Sequence, residues 1–206
     1  MITVIYTNWK RPFHLMGIIE ACKAQRCEKE IWLIDNADAE HRLYHKDTIR
    51  HGHKNEMKCW QRWMYAVQAT TPYVCIMDDD LIFGNRDILT TCSNYLEAHP
   101  YVDIVGHTGV IYKGSYLLGQ HFHHATTPTK VDIVKGRFMF MRTSALEGMD
   151  MTPDLTCDDI KVSAHVKGHK HIIPLQLMDL HEGDEALFRQ PGQQQLRELA
   201  GKKYFW

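Results

Sequence analysis

Three consecutive carboxylates, Asp78-Asp79-Asp80, stand directly after the apolar run YVCIM and directly before LIF. Each has an unperturbed pKa of ~3.9, so at neutral pH the triplet is a cluster of mutually repelling charges, and holding it at the end of a strand calls for a cation. Hard divalent ions take oxygen ligands, which makes Mg²⁺ or Mn²⁺ the natural partner. An isolated acidic triplet is more often a solvated turn, but apolar runs on both sides argue for a strand end that faces a site. A second acidic pair, Asp158-Asp159, opens the segment DDIKVSAHV, and Thr156-x-x-Asp159 has the spacing of a helix capping box. A carboxylate at a helix N-terminus is held in place and kept ionised by the helix dipole, so a cap and a proton acceptor are compatible there.

The elements that must position these groups are readable from periodicity. ITVIY (residues 2–6) reads as a strand, TNWKRP as a polar loop, and Phe13 to Ala24 as a helix. Ile31–Ile34 is a second apolar run that stops at Asp35-Asn36, and Tyr73–Met77 is a third that stops at the aspartates. Between them Glu56–Ala69 has helical spacing, with Met57, Trp60, Met64 and Val67 on one face. Further strands are expected at Val102–Val105, Val110–Tyr112, Phe138–Met141 and Ile172–Leu175, with helices at 86–98, 158–167 and 192–201. Gly114–Lys130 is expected to be a long loop. This alternation implies an α/β domain with a central, mainly parallel sheet flanked by helices. Ligands bind beyond the carboxyl ends of such strands, which singles out Thr7-Asn8, Asp35-Asn36 and Asp78–Asp80.

Composition excludes several classes. The 206 residues are 44% hydrophobic, enough for one globular domain, and 24 Lys and Arg nearly balance 25 Asp and Glu, which gives no basic excess for nucleic acid. Six cysteines without a CxxC pair read as buried free thiols in a reducing compartment. There is no signal peptide and no apolar run of about 18 residues, so a soluble, cytoplasmic domain without a transmembrane segment is expected. Three aromatics in the final GKKYFW suggest that residues 1–206 form a single domain covalently linked to further domains of a longer polypeptide.

The order of these segments resembles that of glycosyltransferases with the glycosyltransferase-A fold, which carry an Asp-X-Asp motif and use nucleotide-sugar donors. ITVIY and TNWKRP are similar to their opening strand and nucleotide-contacting loop, and IWLIDNAD to the second strand, whose terminal aspartate faces uracil. Arg62 has the spacing of the arginine that precedes their metal motif. LTCDDIKVSAHVKGHKHIIP is similar to their Glu-Asp-plus-helix segment, and His181 in LMDLHEGDEALFRQ to a late metal-binding histidine. The chain departs from the pattern in its bulky KCWQRWMY and in having Asp-Asp where the family has Glu-Asp.

The resemblance implies a UDP-sugar donor, a Mn²⁺ or Mg²⁺ cofactor and a glycan hydroxyl as acceptor, with a hexose such as glucose, or a deoxyhexose such as rhamnose, transferred. It implies Asp78, Asp80 and His181 as metal contacts, Asp78 also at the ribose, and Asp79 in the metal shell or at the donor sugar. Thr7, Asn8, Asp35 and Asn36 would meet the nucleoside, and Lys10, Arg11 or Arg62 the phosphates. Trp9 and Trp60 could stack on uracil or sugar, but Trp60 also fits a core-facing stripe, so burial is its better reading. Asp159, or Asp158, is the candidate base of an inverting transfer; a retaining transfer needs none. Most of the 14 histidines, HFHH at 121–124 included, read as ordinary surface or hydrogen-bonding residues. The rival reading is a phosphatase of the haloacid dehalogenase type, which also places Asp-x-Asp after an apolar strand, or another metal-dependent phosphoryl enzyme.

Overall fold

A computed structural model describes residues 1–9, 11–37, 48–50, 56–180 and 190–205, with 48–50 described by their backbone. In chain order the elements are β1 (Ile2–Asn8), α1 (Pro12–Lys23), β2 (Lys29–Asp35), β3 (Thr48–Arg50), α2 (Trp60–Ala66), β4 (Tyr73–Met77) and β5 (Leu81–Phe83). There follow α3 (Ile88–Ala98), β6 (Val102–Gly106), β7 (Gly109–Ile111), β8 (Gln120–Phe122), β9 (Thr129–Val131), β10 (Ile133–Val134) and β11 (Phe138–Arg142). The last are α4 (Asp158–His165), β12 (His169–Ile172), β13 (Leu177–Asp179) and α5 (Gln193–Phe205). No described helix is long and apolar enough to cross a membrane.

Among the described residues the main sheet has eight strands in the order β3-β2-β1-β4-β11-β6-β12-β9. All run the same way except β11 and β9, which are antiparallel to their neighbours. The mainly parallel sheet expected from the sequence is therefore present. Central strands are apolar on both faces because both faces are covered. Val4, Tyr6, Leu33, Cys75, Met77, Phe138 and Phe140 meet α1 and α3 in one core. Ile5, Ile34, Val74, Ile76, Met139 and Met141 meet α2 and α4 in another. The period of two along each strand deals alternate side chains to the two layers.

Several elements differ from their expected form. Helix α2 is restricted to Trp60–Ala66, and Lys58, with φ 44°, is in the left-handed region that interrupts a helix. Its buried face is Trp60, Trp63 and Ala66, while Met64 is exposed. Strand β12 ends at Ile172, because Pro174 has no N–H to donate to a ladder. Residues 114–130 contain β8 and the start of β9. Helix α5 runs four residues past the expected end, and all six cysteines are free.

Parallel strands bring their carboxyl ends to one edge of the sheet. Asn8 and Asp35 lie opposite each other in the β1/β2 register, and Asp78 follows β4 alongside them. Because β11 is antiparallel to β4, with Phe138 opposite Met77, the turn before it delivers Gly136 and Arg137 to the same edge. Strand β13 pairs with β5 and places Asp179 opposite Leu81, directly after the triplet.

Candidate active site

Each carboxylate of the triplet is bound by arginine. Asp78 accepts from Arg62 Nη1 at 2.5 Å, and its backbone N–H donates to Arg137 O at 3.0 Å. Asp79 accepts from Arg11 Nη1 at 3.1 Å and from the Trp9 backbone N–H at 3.0 Å. Asp80 accepts from Arg11 at 3.2 Å on one oxygen and from Arg137 Nη2 at 3.2 Å on the other, and Arg137 reaches on to Asp179. The Asp80 carbonyl accepts from Leu180 N–H at 2.8 Å.

These arginines do not fully offset the cost of desolvation. Burial pushes the Asp79 carboxyl up to about 7, against Trp9 and Arg11. The protein crowded around Asp78 pushes it up to about 6, against Arg62, although 32% of its side-chain surface still meets solvent. Desolvated carboxylates of this kind are stabilised by cations, and their oxygens are the hard donors that Mn²⁺ and Mg²⁺ accept. Among the described residues no three His, Cys, Asp or Glu donors converge on one point. Asp78 and Asp80 supply carboxylate oxygens of the kind a divalent ion takes, and both residues are bound to arginine here.

The second acidic pair divides into two roles. Asp158 Oδ2 accepts from Arg62 Nε at 3.0 Å, Arg62 Nη2 at 2.8 Å and Trp63 Nε1 at 2.6 Å. It therefore fixes Arg62 behind Asp78. Asp159 Oδ2 accepts from Arg197 Nη2 at 2.7 Å and from Gly136 N–H at 3.1 Å. Burial is the largest single influence and works against its ionisation, but Arg197, the Gly136 amide and Arg62 together outweigh it and hold the carboxyl below the usual range. The expected capping box is absent: Cys157 occupies the N-cap of α4 without a side-chain cap bond. Asp154 instead accepts from the N–H groups of Thr156 at 3.1 Å and Cys157 at 3.0 Å, which leaves Asp159 for Arg197.

At the ends of β1 and β2, Asn8 Nδ2 donates to Asp35 Oδ1 at 2.8 Å, and Asn36 N–H donates to Asn8 O at 3.0 Å. Asn8, Asp35 and Asn36 are all buried. Thr7 Oγ1 is buried without a hydrogen-bond partner among the described residues.

No protein-family profile matches the sequence, and no curated protein matches it. Solved structures do. The chain is similar to the GalNAc-T7 structure with UDP, GalNAc and Mn²⁺, at TM-score 0.70 and 11% identity, covering 89% of this chain and 44% of that one. It is also similar to S. aureus TarS 1-349 in complex with UDP-GlcNAc, at TM-score 0.64 and 13% identity over 92% of this chain and 61% of that one. A third is the mannosyltransferase PcManGT from Pyrobaculum calidifontis in complex with GDP-Man and Mn²⁺, at TM-score 0.57 and 17% identity over 85% and 55%. The chain has a glycosyltransferase-A-like fold. It spans about half the length of these proteins.

Within this glycosyltransferase-A-like frame the structure brings Trp9 and Arg11 into contact with Asp79, and Arg11 with Asp80, and it brings Asp78 to Arg62 and Thr7, Asn8, Asp35 and Asn36 to the adjoining strand ends. The expected roles of Arg62 and Asp158 change. Arg62 is committed to Asp78 and Asp158, so it braces the wall of the site and does not face a phosphate. Trp60 is fully buried in the core, as its place on an apolar helical stripe predicts. Asp158 is likewise taken up by Arg62 and Trp63 and does not stand free as a base. His181 and Lys10 lie outside the described residues. Sequence reasoning missed Arg137, Asp179 and Arg197, each of which reaches its partner from a remote element.

Proposed function

We propose that this chain is a metal-dependent glycosyltransferase domain that moves a hexose from a UDP-sugar to a glycan hydroxyl. The carrying observation is the Asp78–Asp80 cluster at the carboxyl end of β4, beside Asn8 and Asp35, in a glycosyltransferase-A-like sheet. The nucleotides and Mn²⁺ in the similar structures support this reading. Glucose, or a deoxyhexose such as rhamnose, is the proposed sugar.

Asp35 accepts from the uracil N–H, with Thr7, Asn8, Asn36 and Trp9 lining the nucleoside, and Asp78 also reaches the ribose. Asp78 and Asp80 hold Mn²⁺ or Mg²⁺ together with His181, which follows directly after the Leu180 that is bonded to Asp80. The ion supplies Lewis-acid stabilisation of charge developing on the diphosphate. Arg11, bonded to Asp79 and Asp80, pairs with the diphosphate, while Arg62, braced by Asp158, keeps Asp78 in place. Asp159, kept ionised by Arg197, accepts the acceptor's proton in an inverting transfer. The phosphatase reading is not favoured, since the similar structures are glycosyltransferases.

Calorimetric titration of UDP with and without Mn²⁺ tests the proposal. Saturable, metal-dependent binding that disappears in Asp80→Ala is expected; absence of UDP binding at every Mn²⁺ concentration sinks it.

A further inference from the structure

At the carboxyl ends of β6 and β12 the chain forms an open cleft of about 350 Å³, within the range of ~300–1,000 Å³ common for ligand sites. His107, the first residue after β6, and His124 line it with ring centroids 5.3 Å apart. Asn85 and Gln176 also line it, joined by Asn85 Nδ2 donating to Gln176 Oε1 at 2.9 Å, and Ala125 and Leu175 add apolar surface.

Topology fixes which side of the site this is. The nucleoside-side residues end β1 and β2, the aspartates follow β4, and β6 lies two strands beyond β4 in the opposite direction from β1. Its end is thus roughly 10 Å from that of β4, at about 4.8 Å per strand. Arg137, which binds Asp80 and Asp179, connects the two places, since the charges of both Arg137 and Asp179 act on the His107 ring. His107 is 8% exposed, and its Nδ1 meets no hydrogen-bond partner among the described residues. Buried polar atoms are seldom left in that condition, so the ring has hydrogen-bonding capacity that its surroundings do not use. The two main-chain segments beside the cleft are in contact: Gly84 N–H donates to Gln176 O at 2.7 Å, and a Cβ on Gly84 would meet that oxygen at 2.5 Å.

We infer that this cleft seats the acceptor saccharide, with its hydroxyls on His107, His124, Asn85 and Gln176 and its C–H face on Ala125 and Leu175. The inference rests on glycosyltransfer as the function. Amides and imidazoles both donate and accept, as hydroxyls do, and they carry no net charge when the imidazoles are neutral. Burial lowers the His107 pKa, which favours that neutral form. A diphosphate would need cationic partners, and among the described residues no lysine or arginine lines the cleft. The nucleotide therefore belongs on the β1/β2 side.

The test uses the full chain with ¹⁵N-labelled histidine, titrated with methyl glucoside, galactoside, mannoside and rhamnoside in the presence of UDP and Mg²⁺. At least one glycoside is expected to shift the His107 ring resonances saturably. His124→Ala and Gln176→Ala should each weaken that binding roughly ten-fold, the loss of one hydrogen bond, and leave UDP affinity in calorimetry within roughly two-fold. Ring resonances unmoved by all four glycosides, or saccharide binding untouched by both substitutions, overturn the inference even where UDP binds. A fall in UDP affinity in both variants also overturns it, by giving the cleft to the donor. Saccharide shifts in a protein that binds no UDP leave the cleft standing and remove the transferase reading.

Discussion

Asp159 is held between an arginine and a backbone amide, and that pairing determines how it responds to acid. Its folded pKa lies below the unfolded value, so its ionised form contributes stability that is present above the unfolded pKa of ~3.9 and is lost as pH falls through the folded value. Asp159→Asn should therefore flatten the acid limb of a melting-temperature profile relative to the unsubstituted chain. At neutral pH, Asp159→Asn and Arg197→Met each leave the partner charge without its counter-ion in a largely buried setting, a loss of about 3–5 kcal/mol. Unchanged neutral-pH stability in both variants would remove the pair from the structural account. The same Asp159→Asn protein addresses the chemistry. With UDP affinity retained, transfer slowed by about 10²–10⁴-fold assigns the base role to Asp159, and an unchanged rate takes it away.

At the scale of elements, α2 and α4 are joined through one oxygen. Consecutive α2 residues, Arg62 and Trp63, both donate to Asp158 Oδ2 at the start of α4. Trp63→Phe removes the N–H together with part of the buried ring, so it should cost at least about 1.5–3 kcal/mol, as for hydrogen bonds to charged groups. A melting temperature lowered by several degrees checks it, at ~2–4 °C per kcal/mol for a chain of this size; no shift would mean that the ion pair alone fixes Asp158. The turn between β10 and β11 closes the same place from the other side. A Cβ on Gly136 would meet Arg62 Nη2 at 2.5 Å and Asp159 Cβ at 3.2 Å. Arg62 is pinned at Asp78 and Asp158 and has little room to yield, so Gly136→Ala should destabilise by about 1–3 kcal/mol and lower Mn²⁺-dependent UDP affinity. Full UDP affinity in a Gly136→Ala protein would show that Arg62 does not support Asp78 in donor binding.

For the molecule as a whole, what was legible followed from what is local. An apolar run that stops at a carboxylate marks a strand end within a few residues, so Asn8, Asp35 and Asp78 were found at one edge without knowledge of pairing. Arg62–Asp158 and Arg197–Asp159 join residues 96 and 38 positions apart, and no periodicity connects such partners. The α2 face was misread because Trp63 and Met64 are adjacent and both apolar, and only packing against Ile5 and Ile76 decides between them. The C-terminal helix is the largest remainder. Helix α5 buries few of its own residues, yet Ala200 closes a third core cluster with Val110, Tyr116, Ile133, Cys157 and Ile160, and Tyr204 donates to Asp154 at 3.0 Å. It therefore covers the wall behind Asp159, while the proposed nucleotide contacts stand on β1, β2 and β4. A chain ending at residue 190 should melt lower than Arg197→Met, because it loses this apolar cover as well as the ion pair. If it remains folded, its Mn²⁺-dependent UDP affinity should match that of the full chain while transfer slows. Loss of UDP binding in a folded truncated protein, with binding intact in Arg197→Met, would instead place α5 in the donor site itself.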